Sequence, residues 1–158
     1  GQFQVGIIPS HRNSDRLTYT SLFDETMLLF CGTRHPLFNT TNKGMNWRHL
    51  ATHPFVGLGY HSPNMELSQR MRLRRKANAF DQEAIATLIL SGKFLGFLPD
   101  HYASNFVDQG KMRAINPALF NYKCTFHCIL RRSPEPPRAT RAFQSSLVDA
   151  HQPKRQKV

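Results

Sequence analysis

A short polar segment, Gly59-Tyr60-His61-Ser62, has the residue types of a ligand-binding loop. It follows an apolar run at 54–58 that predicts a strand. It also leads into Ser62-Pro63, which predicts a helix start because serine caps helices and proline suits their first position. Glycine lets a ligand approach the backbone, Tyr60 and His61 can donate hydrogen bonds, and a helix N-terminus favours a carboxylate. Hydrogen-bonded recognition of a small acid is the chemistry that this spacing supports.

Ser10 and His11 follow a second predicted strand, at 3–8, in the matching way. Ligands of open α/β sheets bind at the carboxyl ends of strands. We therefore expect six residues to bind a ligand: Ser10, His11, Gly59, Tyr60, His61 and Ser62. The alternative interpretation is that both segments are ordinary surface loops with solvent-exposed histidines.

The other reactive residues show no spacing that is typical of a catalytic or metal-binding site. The eight histidines are scattered, with neither His-Glu-x-x-His nor paired-cysteine spacing. No Gly-x-Ser-x-Gly elbow or phosphate-binding P-loop is present. Cys124 and Cys128 share one face of a predicted strand as packed thiols, and with Cys31 they form an odd set, which favours a reducing cytoplasm. We predict a protein that is not an enzyme, with no catalytic residue, metal or cofactor.

The chain is strongly basic, with 21 Lys and Arg against 10 Asp and Glu and a formal net charge of +11. Such a charge attracts nucleic acid or anionic ligands without specifying either. Its densest run lies at 70–76, where a solvated edge and a phosphate-contacting patch are the two interpretations. No apolar run is long enough to cross a bilayer, so we expect no membrane partner. The first residues lack the basic head and apolar stretch of a signal peptide.

Residues 81–99 predict a helix, a glycine stop and a buried strand. Asp81 can cap the helix, and an apolar stripe at helical spacing follows it. Gly92 suits a left-handed helix stop, and the apolar run at 94–98 has a strand's length before Pro99 ends it. This αβ step indicates a layered α/β domain.

The rest of the chain continues the α/β alternation without repeats. Further strands are predicted at 3–8, 18–23, 27–31, 54–58, 76–80 and 123–130. Further helices are predicted at 47–52, 62–71, 100–107 and 137–150. The last helix is expected to turn Ala139, Ala142, Phe143 and Leu147 inward. Residues 151–158 are expected to form a frayed basic tail.

In this order the segments resemble the effector-binding domain of LysR-type transcriptional regulators. The helix, Gly-x-x-Gly, strand and proline of 81–99 are the most informative part. Leu22-Phe23-Asp24-Glu25 with 27–31 is similar to the family's crossover strand, and His35-Pro36-Leu37 is similar to the turn after it. The segments 47–56, 124–132 and 139–150 follow in the family's order, so the resemblance covers residues 3–150.

The resemblance implies an α/β fold of periplasmic-binding-protein type II with two lobes and a small-molecule effector between them. On this chain it gives a partial lobe at 1–29 and 122–150, a complete lobe at 30–121 and a basic tail at 151–158. It also implies a chain truncated at its N-terminus, and DNA contact only through a helix-turn-helix domain outside this chain. A partial lobe leaves unpaired sheet edges, so we expect a homo-oligomer. The basic composition makes an anionic effector the expectation.

Two other functions are alternatives. A solute-binding protein of a transporter has the same kind of fold, although the absent signal-peptide pattern and the odd number of cysteines disfavour it. A basic nucleic-acid-binding protein is suggested by charge alone, and the chain lacks the interleaved aromatic residues of a stacking platform. We therefore predict the sensing domain of a transcriptional regulator, in which the effector shifts the balance between lobe arrangements.

Overall fold

The structure is a computed structural model, which describes residues 3–9 and 13–151. The chain divides into two compact units. Unit 1 comprises Gly1–Glu25 with Cys124–Val158, and unit 2 comprises Thr26–Lys123. Two long strands, β2 (Leu17–Gly32) and β7 (Asn121–Arg131), contribute residues to both units.

Unit 2 is built on a mixed sheet with helices packed against it. Besides its part of β2, its strands are β3 (Pro54–Leu58), β4 (Arg74–Ala79), β5 (Leu95–Pro99) and β6 (Met112–Ala114). The order is β2-β5-β3-β4, with β6 paired to β2. β5, β3 and β4 run parallel, whereas β2 is antiparallel to β5 and β6. The helices are α1 (Trp47–Leu50), α2 (Pro63–Arg70), α3 (Gln82–Leu90) and α4 (Asp100–Asp108).

Helices α2 and α3 begin at the side-chain caps that the sequence predicts. Ser62 Oγ accepts the Met65 N–H at 3.3 Å, and Asp81 Oδ1 accepts the Ala84 N–H at 2.7 Å. After α3, Gly92 adopts a φ of 76°, the left-handed conformation that glycine tolerates because it has no Cβ. Caps and stops of this kind are local, so the sequence suffices to place them.

The core of unit 2 lies between the sheet and its helices. Ile85 and Ile89 of α3 belong to one buried cluster with Val56 of β3 and Leu98 of β5. Burying an aliphatic side chain of this size stabilises a fold by about 1.5–3 kcal/mol relative to leaving it exposed. This cluster therefore holds α3 on the parallel strands and so fixes where the α3 N-terminus stands.

In unit 1, β1 (Val5–Pro9) pairs antiparallel with β7, which lies between β1 and β2. The last helix, α5 (Arg138–His151), is attached partly through polar side chains. The buried Thr140 donates a hydrogen bond to Gln4 Oε1 at 2.6 Å. Gln144 Nε2 donates to Thr20 Oγ1 at 3.0 Å. These two bonds determine which face of α5 turns toward the strands.

The inward face predicted for α5 is mostly wrong. Ala139, Ala142 and Phe143 are exposed, and Leu147 alone of the predicted set is half-buried. Helical periodicity reports which residues share a face, but the face of α5 that is buried here bonds to Gln4 and Thr20, which lie far away in sequence.

The strands predicted at 18–23 and 27–31 form one strand, β2, of 16 residues. The acidic pair between them does not interrupt the strand, which is a neighbour of β7 in the sheet, and Asp24 Oδ1 accepts a hydrogen bond from Thr125 Oγ1 of β7 at 2.7 Å. Strand β6 is not among the predicted strands, and β4 begins two residues before the predicted start at Lys76.

Candidate functional site

The carboxyl ends of three parallel strands form one edge of the unit 2 sheet, which we call the carboxyl edge. Strand β3 ends there and leads through residues 59–62 into α2. Strand β4 leads into α3, and β5 leads directly into α4. The predicted segment 59–62 therefore lies at the edge where the helix N-termini are found, an arrangement that serves ligand binding in open α/β sheets.

Gly59 brings the loop backbone against the end of β4. Its N–H donates to the Ala79 carbonyl at 2.7 Å, and a Cβ at this position would stand 2.9 Å from the Phe80 ring. Two aromatic side chains are open to solvent at this edge, since Tyr60 is 43% and Phe80 is 72% exposed. An aromatic ring offers a ligand a large apolar contact. The carboxyl edge thus offers accessible rings, and the absence of a side chain at Gly59 lets the Phe80 ring pack against the loop.

Ser62 caps α2 from a buried position. Its hydroxyl donates to the Tyr60 carbonyl at 3.2 Å and accepts the Met65 N–H. Because the hydroxyl is used on both sides within the protein, Ser62 shapes the loop that presents Tyr60 and His61.

Acidic side chains accompany each helix N-terminus at the carboxyl edge. Glu66 lies in the first turn of α2, with its Oε1 3.5 Å from Nε2 of His61. Asp81 caps α3, and Asp100 at the start of α4 accepts the His101 N–H at 2.7 Å. Such carboxylates are stabilised by the positive end of the helix dipole. A ligand carboxylate at this edge therefore competes with the chain's own acids.

Two polar residues below the loop are not among the predicted site residues. The buried Asn64 accepts the Leu58 N–H at 3.1 Å and donates to the Tyr122 hydroxyl at 3.5 Å. Arg75 donates to the Leu58 carbonyl and, at 2.6 Å, to Asn78 Oδ1. Burial lowers the pKa of Arg75. Together, Asn64 and Arg75 hold the end of β3 in place. In the sequence, Arg75 is visible only as one of several charges in the basic run at 70–76.

A cavity of about 360 Å³ opens beside the first residue of α2. It is lined by Pro63, Glu66, Leu67, Arg70, Tyr122 and Lys123. Two cationic side chains and one carboxylate thus face a space large enough for a small polar molecule. The cavity begins next to the predicted loop and offers groups of both signs.

Ser10 and His11 lie outside the described residues, so their role stays a prediction. Strand β1 ends just before them, and Ile8 of β1 pairs with His127 of β7. The His127 ring packs edge-on against Tyr19, with ring centroids 6.2 Å apart. Its buried Nδ1 has no hydrogen-bond partner within the part of the chain that the structure describes. His127 is therefore a further polar residue near the carboxyl end of β1.

The remaining reactive side chains are poor nucleophiles. The free thiols of Cys31, Cys124 and Cys128 are buried. Burial raises the pKa of Cys31 and that of Cys124 to about 11, which keeps the thiolate scarce at neutral pH. Within residues 3–9 and 13–151, no three His, Cys, Asp or Glu side chains are grouped to hold a metal ion. No helix in these ranges is long and apolar enough to cross a membrane.

Comparison with known proteins connects this geometry to one family. The sequence matches the family described as LysR substrate binding domain over residues 1–152. It is 31% identical, over 136 residues, to the HTH-type transcriptional activator BauR of Pseudomonas aeruginosa. The match covers 86% of this chain and 45% of BauR, so the chain spans less than half the length of that relative.

Solved structures share the fold at low sequence identity. The Synechocystis PCC6803 CcmR regulatory domain in complex with 2-PG has a TM-score of 0.77 and 16% identity, covering 97% of this chain and 76% of that chain. Full-length LysG from Corynebacterium glutamicum with bound effector Arg has a TM-score of 0.67 and 14% identity, covering 96% and 52%. These likenesses confirm the predicted α/β fold of periplasmic-binding-protein type. The family match over nearly the whole sequence shows that this chain belongs to the LysR substrate-binding domain family.

Proposed function

We propose that this domain senses a small-molecule effector for a LysR-type transcriptional regulator. The observation that carries the proposal is the carboxyl edge of unit 2, where the Gly59 backbone lies beside the exposed rings of Tyr60 and Phe80. The family comprises transcriptional regulators rather than enzymes, and this chain is homologous to their regulatory domains. CcmR with 2-PG and LysG with Arg hold small molecules in related folds, which supports an effector site here.

The proposed effector site comprises the six predicted residues, Ser10, His11, Gly59, Tyr60, His61 and Ser62. Of these, the buried Ser62 contributes by holding the loop that presents Tyr60 and His61. The proposed lobes are likewise the predicted ones. One consists of residues 1–29 and 122–150, and the other consists of residues 30–121. The effector acts by binding one lobe arrangement more tightly than another, because a ligand shifts an equilibrium only through its differential affinity. The same proposal has three further parts, which rest on family membership. The whole protein contacts DNA through another domain, assembles as a homo-oligomer and acts in the cytoplasm.

The proposed effector is a small acid that also carries a hydrogen-bond donor. The net charge of +11 favours an anion at long range. Close to the loop, Glu66 lies beside His61, and a carboxylate only accepts hydrogen bonds. A hydroxyl or ammonium group on the effector therefore complements Glu66, while the effector carboxylate meets His61 and the cations of the cavity beside α2.

A thermal-shift panel of small carboxylic acids, amino acids and neutral analogues tests the proposal. A ligand at a hundredfold excess over its Kd stabilises a folded domain by about 2.7 kcal/mol. We expect at least one acid to raise the Tm of the wild type and of Val107→Ala, but not of Tyr60→Ala. Val107 is a matched control because it is an exposed apolar residue near the far end of α4, about 10 Å along the helix from the carboxyl edge.

Two results would contradict the proposal. Equal stabilisation of Tyr60→Ala and the wild type would place the ligand away from the carboxyl edge. Stabilisation by neutral analogues but by none of the acids would show that the site does not recognise a carboxylate.

A further inference from the structure

Unit 1 contains a second cavity, of about 740 Å³, that is far more basic than the carboxyl edge. Three arginines and two serines line it, with one carboxylate and one leucine: Ser14, Asp15, Arg16, Leu17, Arg131, Arg132 and Ser133. We call it the arginine cavity. It lies where β2 begins and β7 ends, and it includes none of the six predicted effector residues.

Backbone hydrogen bonds hold the two walls of the arginine cavity together. The Arg132 N–H donates to the Arg16 carbonyl at 2.9 Å, which joins the segment after β7 to the segment before β2. The Leu17 N–H donates to the Ser14 carbonyl at 3.0 Å, and the Ser14 N–H donates to the Tyr19 hydroxyl at 3.0 Å. The arginines therefore extend from an ordered turn and an ordered strand end.

The charge in the arginine cavity is not compensated from within the protein. Arg16, Arg131 and Arg132 are exposed, and their guanidinium groups form no ion pair or hydrogen bond with the residues that the structure describes. By contrast, Arg113 donates to backbone carbonyls at 37–40, and Arg141 pairs with Glu135. Three unpaired guanidinium groups against the single carboxylate of Asp15 give the cavity a positive potential that an anion would satisfy.

We propose that the arginine cavity binds a small molecule that bears two or more linked phosphate groups. Guanidinium groups bind phosphate oxygens through paired, charge-assisted hydrogen bonds, which few other anions match in geometry. The volume falls in the range of small-molecule sites and exceeds what one phosphate fills, so separate phosphates can contact separate arginines. The Ser14 hydroxyl accepts the Arg16 N–H at 3.4 Å and keeps its own proton to donate to a phosphate oxygen.

Titration calorimetry of the 158-residue chain with inorganic pyrophosphate and triphosphate tests this site. We expect saturable binding that is tighter for triphosphate than for sulfate. Arg16→Gln and Arg132→Gln each remove a charged hydrogen-bond donor and are expected to weaken binding by about tenfold or more. Arg132→Lys, which keeps the charge but not the paired geometry, is expected to fall between Arg132→Gln and the wild type.

The matched control is Arg138→Gln, which removes the same charge from the start of α5 without touching the cavity. We expect this variant to bind within about twofold of the wild type, because a charge that does not line the cavity acts only through the screened general field. An equal loss in Arg138→Gln and Arg132→Gln would overturn the proposal in favour of that field, as would an absence of measurable binding. Tighter binding of a short duplex DNA than of triphosphate, lost in the same two variants, would overturn it in favour of a nucleic-acid contact. Circular dichroism confirms that each variant is folded before its affinity is compared.

Discussion

His35 is expected to make the stability of this domain fall in mild acid. The side chain is 3% exposed and lies in the turn that follows β2. Its Nδ1 accepts the Leu37 N–H at 3.1 Å, while its buried Nε2 has no hydrogen-bond partner among the described residues. The His53 ring lies beside it, with ring centroids 4.9 Å apart. Burial, with a smaller contribution from the charge of His53, lowers the pKa of His35 from 6.5 to about 4.

The sign of the effect follows from this lowered pKa. Between about pH 4 and pH 6.5 the unfolded chain protonates His35 whereas the folded chain does not, so stability is lost as the pH falls through this window. The shift corresponds to a loss of about 2 kcal/mol from pH 7 to pH 5 and about 3 kcal/mol near pH 4. Burial lowers the pKa of His53 as well, which acts in the same direction.

Urea unfolding at pH 7 and pH 5 measures this contribution. The wild type is compared with His35→Asn, whose amide oxygen can still accept the Leu37 N–H, and with His101→Asn as an exposed-histidine control. We expect the loss between the two pH values to shrink by about 2 kcal/mol in His35→Asn and to persist in His101→Asn. An unchanged pH dependence in His35→Asn would refute the reasoning and would mean that His35 is protonated without cost in the folded state.

Two further predictions concern the half-buried Arg113 and the buried thiols. Arg113 donates to the carbonyls of Phe38 and Thr40 and to Asn42 Oδ1, so Arg113→Met is expected to destabilise the domain by about 2 kcal/mol. Amide exchange over 37–42 is expected to accelerate in that variant, and unchanged exchange there would contradict it; Lys111→Met, at an exposed position, is the control. The three buried thiols are expected to react with a disulfide reagent only in urea, and rapid labelling of one thiol in native buffer would contradict this.

The elements that could be predicted from the sequence are those with local signals. Ser62 and Asp81 cap the helices that they predict, and Gly92 takes the left-handed conformation. The carboxyl edge could also be located, because an apolar run followed by Gly59 and a helix cap marks the end of a parallel strand. These signals work because each depends on neighbours within a few residues.

The features that could not be predicted depend on partners far away in sequence. The buried Thr140 of α5 bonds to Gln4, and Asp24 within the unbroken β2 bonds to Thr125 of β7. Arg75 reads as one more surface charge until the fold brings its guanidinium to the Leu58 carbonyl. Periodicity and composition contain no information on such pairings. The sequence therefore could not place Asn64 and Arg75 at the candidate site.

Strand β4 also bears on how the chain stays in solution. It is the outermost strand of the unit 2 sheet, and the exposed side chains along it are Arg74, Lys76 and Asn78. An open strand edge is a template on which another chain can add, and charged side chains, lysine above all, are the means by which natural proteins discourage that addition. Protection of this edge against aggregation therefore explains Arg74 and Lys76 without requiring a binding partner.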